Sequence, residues 1–177
     1  MDAGSFDFLL KQNGTDVKAV TEDGWTALHL ACEYGQINIV ELLQRNGSDI
    51  CAVTKQGRTP LHIASAHGRM EVIDFLLKQN GTDVKAVTED GWTALHLACE
   101  YGQINIVELL LQQNGSDICA VTKYGSTPLH IASAHGRTEV VDFLLKQNGI
   151  DANKVDEEGD TPLHEAVLKA GIRNSTI

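Results

Sequence analysis

Aromatic residues are scarce: Phe, Trp and Tyr make up 5% of the 177 residues. Positive charge is scarce too, with 14 Lys and Arg against 24 Asp and Glu and a net charge of −10. A protein that grips a phosphate backbone needs clustered Lys and Arg, so no nucleic-acid partner is expected. The same shortage argues against an anionic membrane surface. No apolar run approaches roughly 18 residues, so no transmembrane helix is expected. The opening MDAGSFDFLL has no basic stretch and only a short apolar one, so a cleaved leader is not expected either. The four cysteines, Cys32, Cys51, Cys99 and Cys119, show no C-x-x-C spacing, which argues against zinc. The G-x-S-x-G, P-loop and Rossmann glycine patterns are missing. His164-Glu165 opens like H-E-x-x-H, but the fifth position is Leu168, so the second ligand is absent. Catalysis, a cofactor and a metal are therefore not expected.

The remaining composition is that of an ordinary soluble domain, 42% apolar and 21% charged. A chain of this size hides roughly 70% of its unfolded surface. Internal repetition dominates it. The tetrads TALH and TPLH end at His29, His62, His96, His130 and His164, spaced 33, 34, 34 and 34 residues apart. A longer unit is superimposed. Asp7–Leu43 recurs letter for letter as Asp74–Leu110, and NGSDICAVTK occurs from Asn46 and from Asn114. The chain is largely a two-repeat block copied in tandem. The copies differ at Arg45/Gln113, Gln56/Tyr124, Arg58/Ser126, Met70/Thr138 and Ile73/Val141, and by one extra Leu ending at Leu111.

Local chemistry predicts helix, turn, helix and extended loop within each unit. Thr59 before Pro60 is a hydroxyl N-cap followed by proline at the first helical position. Leu61 and Ala64, then Val72, Leu76 and Leu77, recur at helical spacing. Gly68 suits the left-handed turn that ends a helix, and Asn80-Gly81 ends the next one in the same way. Thr82 to Gly91 places β-branched residues around Glu-Asp-Gly, as in a short hairpin-like loop. Such a unit cannot bury its apolar face alone, so neighbours must stack.

A period near 33 carrying T-P-L-H-x-A resembles the ankyrin repeat over nearly the whole chain. The matching residues are Thr59–Ala64 and Thr127–Ala132, the glycines Gly35, Gly68, Gly102 and Gly136, and the V-x-x-L-L run before Asn-Gly. The resemblance implies an all-α repeat solenoid of stacked helix-turn-helix units joined by extended hairpin-like loops. Full units are expected at 21–53, 54–87, 88–121 and 122–155, with partial units at 1–20 and 156–177 that suggest a segment of a longer array in preference to a minimal cap. The departures are mild. Thr21, Thr54, Thr88 and Thr122 stand where the family usually has Asp, which appears only at Asp156. Ala27 and Ala94 replace the proline. Gln44 stands where other copies have Leu77, Leu111 and Leu145, which predicts a weaker contact and earlier fraying of the first full unit.

Five histidines, His29, His62, His96, His130 and His164, occupy the tetrad's last position. The resemblance implies that each ties its own repeat to the next through loop backbone. Once per unit, they lie too far apart to converge on a metal, since packed helices sit about 10 Å apart. His67 and His135 are expected on an exposed edge, where they add pH sensitivity. Cys32 and Cys99 replace a small core residue, while Cys51 and Cys119 lie in the extended segment. All four are expected as buried or half-buried free thiols, which fits a reducing, intracellular and cytoplasmic setting. Asn13, Asn46, Asn80, Asn114 and Asn174 begin N-x-S/T triplets, but helix-ending Asn followed by small residues is the preferred reading over glycosylation.

The resemblance further implies a non-catalytic module that binds proteins through loop tips and first helices on a concave face. The matching positions are Glu22, Asp23, Trp25, Glu33 and Tyr34, then Lys55, Gln56, Arg58, Ala66 and His67. The second copy supplies Glu89, Asp90, Trp92, Glu100 and Tyr101, then Lys123, Tyr124, Ser126, Ala134 and His135. Glu157, Glu158 and Asp160 follow. This face alternates between acidic-aromatic and basic or His-bearing units, with both tryptophans and all three tyrosines on it. Trp and Tyr are frequent hot-spot residues. Two Trp-Tyr clusters are expected roughly 20 Å apart from the helix-packing distance. The expected partner is a protein or peptide with basic or apolar features, met by a monomer. The alternative is a structural or spacer array, or an artificially assembled repeat protein, without a specific partner.

Overall fold

A computed structural model describes residues 3–12 and 15–174, which hold ten α-helices and no strand among them. The chain divides into two compact units, Met1–Asp83 and Val84–Ile177. The first contains α1 (Ala3–Leu10), α2 (Ala27–Glu33), α3 (Ile37–Arg45), α4 (Pro60–Ala66) and α5 (Met70–Leu77). Within it α2 packs on α3 and α4, α4 on α5, and α3 on α1 and α5. The second contains α6 (Ala94–Tyr101), α7 (Ile104–Leu111), α8 (Pro128–Ala134), α9 (Thr138–Leu145) and α10 (Pro162–Asn174). There α6 packs on α7 and α8, and α8 on α9 and α10.

These helices are too short to stand alone in water, so tertiary packing must hold them. Both ends of the first helix in each pair are set locally. Thr26, Thr59, Thr93 and Thr127 are N-caps in extended conformation, each bonded reciprocally with the histidine three residues on. Gly35, Gly68, Gly102 and Gly136 reverse the chain at φ 67°, 66°, 71° and 63°, a region that favours glycine. The second helices begin without a side-chain cap. Their last turns are closed by amides: Gln79, Gln113 and Gln147 donate Nε2 to the carbonyls of Phe75, Leu109 and Phe143. In the unit one residue shorter, Asn46 does this instead, with Nδ2 2.8 Å from the Leu42 carbonyl.

The core of the first unit is built from Leu28, Ala31 and Cys32 of α2, Val40 and Leu43 of α3, and Leu61, Ile63, Val72, Ile73 and Leu76 of α4 and α5. The second repeats it with Leu95, Cys99, Ile106, Val107, Leu110, Leu129, Val140 and Leu144. Two expectations need correction. Cys51 and Cys119 are exposed rather than buried or half-buried, because the segment they occupy skirts the repeat instead of entering it. Ala66 and Ala134 are buried at the ends of α4 and α8 and present nothing to a partner. Of the glycosylation triplets, Asn13 lies outside the described residues.

Candidate functional site

The loop tips are built alike. In the first unit Thr21 N–H donates to the Trp25 carbonyl at 2.9 Å, and Thr54 N–H to the Arg58 carbonyl at 3.0 Å. The Thr54 hydroxyl accepts from the amides of Gln56 and Arg58 at 3.3 and 3.2 Å. Asp156 does the same work in the second unit, accepting from Glu158 and Asp160 at 3.0 and 2.9 Å. Threonine thus replaces the family's aspartate as an uncharged acceptor with slightly longer bonds. Successive tips are tied by backbone. Lys55 N–H donates to the Asp23 carbonyl, Lys123 N–H to Asp90, and Glu157 N–H to Tyr124, at 2.9–3.0 Å. Glu22, Asp23, Lys55 and Gln56 stand exposed on this frame in the first unit. Glu89, Asp90, Lys123, Tyr124, Glu157 and Glu158 do so in the second, whereas Arg58, Ser126 and Asp160 are half-buried.

Arg58, Ser126 and Asp160 are drawn in because their carbonyls face histidines. His29 Nε2 lies 3.1 Å from the Arg58 oxygen, His96 Nε2 3.3 Å from Ser126, and His130 Nε2 3.1 Å from Asp160. A carbonyl only accepts, so each Nε2 carries the proton. Nδ1 of His29 then accepts from the Thr26 amide at 3.2 Å and meets its hydroxyl at 2.9 Å. Burial holds the His29 pKa below its usual 6.5, against the raising effect of its backbone bonds to Arg58 and Ala52. His62 and His164 share the capping geometry, and His164 is exposed. Trp25 and Trp92 are half-buried and lie tilted over His29 and His96, with ring centroids 5.9 and 6.0 Å apart.

Tyr34 and Tyr101 stand exposed at the other end of the same helices. A seven-residue helix puts roughly 10 Å between its ends, so Trp25 and Tyr34 are separate features rather than one cluster. Around Tyr34 the geometry is heterotypic. Arg69 Nε donates to the Glu33 carbonyl at 2.8 Å, and His67 Nε2 lies 3.8 Å from the Glu33 carboxylate. In the second unit Arg137 reaches the Glu100 carbonyl at 2.8 Å, and His135 lies 3.7 Å from its carboxylate. A shallow pocket of about 210 Å³ opens between Tyr34, Arg69, Met70 and Glu71. Sequence reasoning passed over Arg69, Arg137 and Met70. The signal was the alternation of Gly-Arg with Gly-Gln after the first helix.

A family model described as ankyrin repeats in three copies matches residues 2–88, 46–122, 71–156 and 114–175. The chain is an ankyrin-repeat protein. No curated protein matches it at a significant level. Ankyrin repeats are generally protein-protein interaction modules, in an all-helical solenoid fold class. Among the described residues of this ankyrin protein, no group of His, Cys, Asp and Glu could hold a metal ion. No described helix is long and apolar enough to cross a membrane. The ankyrin core encloses two inert thiols: burial pushes Cys32 up to about 12 and raises Cys99 as well. The exposed thiols are also raised, first by desolvation and then by neighbouring aspartates, Asp49 and Asp83 for Cys51 and Asp117 and Asp151 for Cys119. Lys154 offsets part of the rise at Cys119, yet none of the four is lowered as a nucleophilic cysteine is.

Proposed function

We propose that this ankyrin-repeat chain is a non-catalytic module that captures a protein or peptide with basic and apolar features. The observation that carries this reading is the tied edge of loop tips. Backbone bonds fix one tip to the next within each unit and hold the exposed acidic pairs Glu22-Asp23 and Glu89-Asp90 in place. A surface fixed before binding loses little further entropy on association, so its contacts translate into affinity. Tyr34, Tyr101 and Tyr124 supply apolar contact area, with His67 and His135 beside the first two. Trp25 and Trp92 contribute an edge and support the histidines beneath them. The free, raised thiols fit a reducing intracellular compartment, and the expected site carries no cofactor.

The test is selection from a displayed peptide library against the wild type, followed by titration of the recovered peptides. Variants Tyr34→Ala with Tyr101→Ala, and Glu22→Lys with Glu89→Lys, are titrated beside it. Peptides rich in Lys, Arg and apolar residues are expected, weakened about tenfold or more by either pair of changes, which is 1.4 kcal/mol per factor of ten. Peptides insensitive to both pairs would remove this face as the site. A second reading, a structural or spacer array, is favoured by the letter-for-letter recurrence of Asp7–Leu43 as Asp74–Leu110. It expects no enriched peptide at all.

A further inference from the structure

The dipeptide Asn-Gly follows the second helix at Asn46, Asn80, Asn114 and Asn148. Glycine is the chemically vulnerable neighbour of asparagine, because no Cβ shields its nitrogen from the asparagine side-chain amide. The one-residue difference between Leu42–Asn46 and Leu109–Asn114 decides how each pair is held. In the shorter form Asn46 stands four residues after Leu42 and donates Nδ2 to its carbonyl at 2.8 Å. The Gly47 N–H donates to the Gln44 carbonyl at 3.1 Å. In the longer form a glutamine stands at that place. Gln79, Gln113 and Gln147 donate to the carbonyls of Phe75, Leu109 and Phe143 at 3.1–3.2 Å. The asparagine is thereby pushed one residue further past the helix. Asn80, Asn114 and Asn148 stand exposed, and so do Gly81, Gly115 and Gly149 after them. Neither these side-chain amides nor these glycine N–H groups have a hydrogen-bond partner among the described residues.

We infer that Asn80, Asn114 and Asn148 are self-modifying sites that convert to aspartate and isoaspartate, while Asn46 is protected. The glycine N–H gives its proton to hydroxide, and the nitrogen attacks the asparagine Cγ. A C–N bond forms and a cyclic imide remains. The departing side-chain amide takes a proton from water and leaves as ammonia, which regenerates hydroxide. Water then opens the imide at either carbonyl. One opening leaves the backbone as it was, with aspartate. The other routes the backbone through the side chain, as isoaspartate. Each conversion consumes one water and releases one ammonia. At Asn46 both partners of the first step are engaged, the nitrogen by Gln44 and the amide by Leu42, so two hydrogen bonds must open before attack. Conversion elsewhere places a carboxylate just past the end of α5, α7 or α9, where helix carbonyls already present negative charge. Isoaspartate at residue 80 also lengthens the turn that the Thr82 hydroxyl closes on the Leu76 carbonyl at 2.7 Å. The inference stands independently of the loop-tip reading, whose residues it does not use.

The test is ageing of the 177-residue chain at mildly alkaline pH, folded and in urea, followed by peptide mapping in a mass spectrometer. Cleavage after glutamate gives each of the four asparagines a peptide of its own sequence, despite the repetition. Conversion is read as the mass gained when NH2 becomes OH, and isoaspartate from its fragments. NGSDICAVTK begins at both Asn46 and Asn114, so the sequence that follows the reacting amide cancels between them. The urea sample accounts for the Arg45/Gln113 difference before it. In the folded chain Asn114 is expected to convert at least about tenfold faster than Asn46, which must first break two hydrogen bonds. Asn80 and Asn148 are expected to convert with Asn114. In urea Asn46 and Asn114 are expected to convert alike. A variant with one Leu inserted after Leu43 restores the longer form, and there Asn46 is expected to convert as fast as Asn114, with circular dichroism checking the fold. Equal rates at Asn46 and Asn114 in the folded wild type overturn the inference. So does a difference that persists in urea, or a folded chain whose Asn80, Asn114 and Asn148 stay intact while the urea sample converts.

Discussion

At the scale of single residues, two side chains are placed against their chemistry. Gln44 stands where the other copies have leucine, and its Oε1 is buried without a hydrogen-bond partner. An unpaired buried carbonyl costs about 1–3 kcal/mol. Gln44→Leu is therefore expected to raise stability by about 1 kcal/mol, read as a higher midpoint in urea at unchanged slope. His29 is the second case. Protonating Nδ1 would set a new N–H against the Thr26 amide, which already points there, and would charge a buried ring. Its folded pKa lies below the unfolded 6.5, so below that pH the unfolded chain binds the extra proton first. Stability is thus complete above pH 6.5 and falls as pH drops below it, until the folded pKa is passed. In urea melts between pH 7.5 and 5, His29→Asn should lie lower overall but lose less on acidification than the wild type. An equal acid loss in both would show that His29 does not titrate on unfolding.

At the scale of elements, glycine separates two costs. Gly91 lies at φ 79°, and a Cβ there would come 2.9 Å from the Lys123 amide nitrogen of the next loop tip. Gly136 also has positive φ, 63°, but a Cβ would meet nothing within 4 Å. Gly136→Ala is expected to cost only the left-handed conformational penalty, about 1–2 kcal/mol. Gly91→Ala carries that penalty and also forces two backbones apart, breaking the Lys123–Asp90 bond. Paired denaturation curves should show the larger loss at Gly91, together with faster exchange of the Lys123 amide. The turns themselves were legible from sequence, because a threonine N-cap, a histidine three residues on and a closing glycine act within one helix. What was not legible lies between repeats. Nothing local says that Arg69 crosses to the Glu33 carbonyl, or Arg137 to the Glu100 carbonyl. Burial was misjudged for the same reason: Ala66 is small enough to be covered by its neighbours, while Cys51, apolar in character, stays exposed between the half-buried Ile50 and Ala52 with its Sγ turned to the Gly81 carbonyl.

At the scale of the whole molecule, the duplication provides an internal control. Ala27–Leu43 and Ala94–Leu110 are the same letters, so intrinsic helix propensity cancels between α2–α3 and α6–α7. Their caps match as well, with Thr26–His29 and Thr93–His96 bonded alike. Any difference in local stability must come from surroundings, as in a repeat array whose stability sums over units and their interfaces. Those surroundings differ. α3 runs into the unpaired Gln44, and its neighbour α1 leaves Phe8 and Leu9 exposed. α7 ends in Leu111 and packs on α9, whose Val140 and Leu144 are buried. Local opening is governed by such contacts. The amides of Val40–Leu43 are therefore expected to exchange at least about tenfold faster than those of Val107–Leu110, equivalent to 1.4 kcal/mol. Nuclear magnetic resonance is the suitable measurement, since identical peptides share a mass. Introducing Gln44→Leu should recover part of the gap, and what remains reflects the other neighbours, α1 among them. Equal rates in the wild type would mean instead that both blocks open only with global unfolding, and that the Gln44 defect is felt by the whole chain rather than by its own repeat.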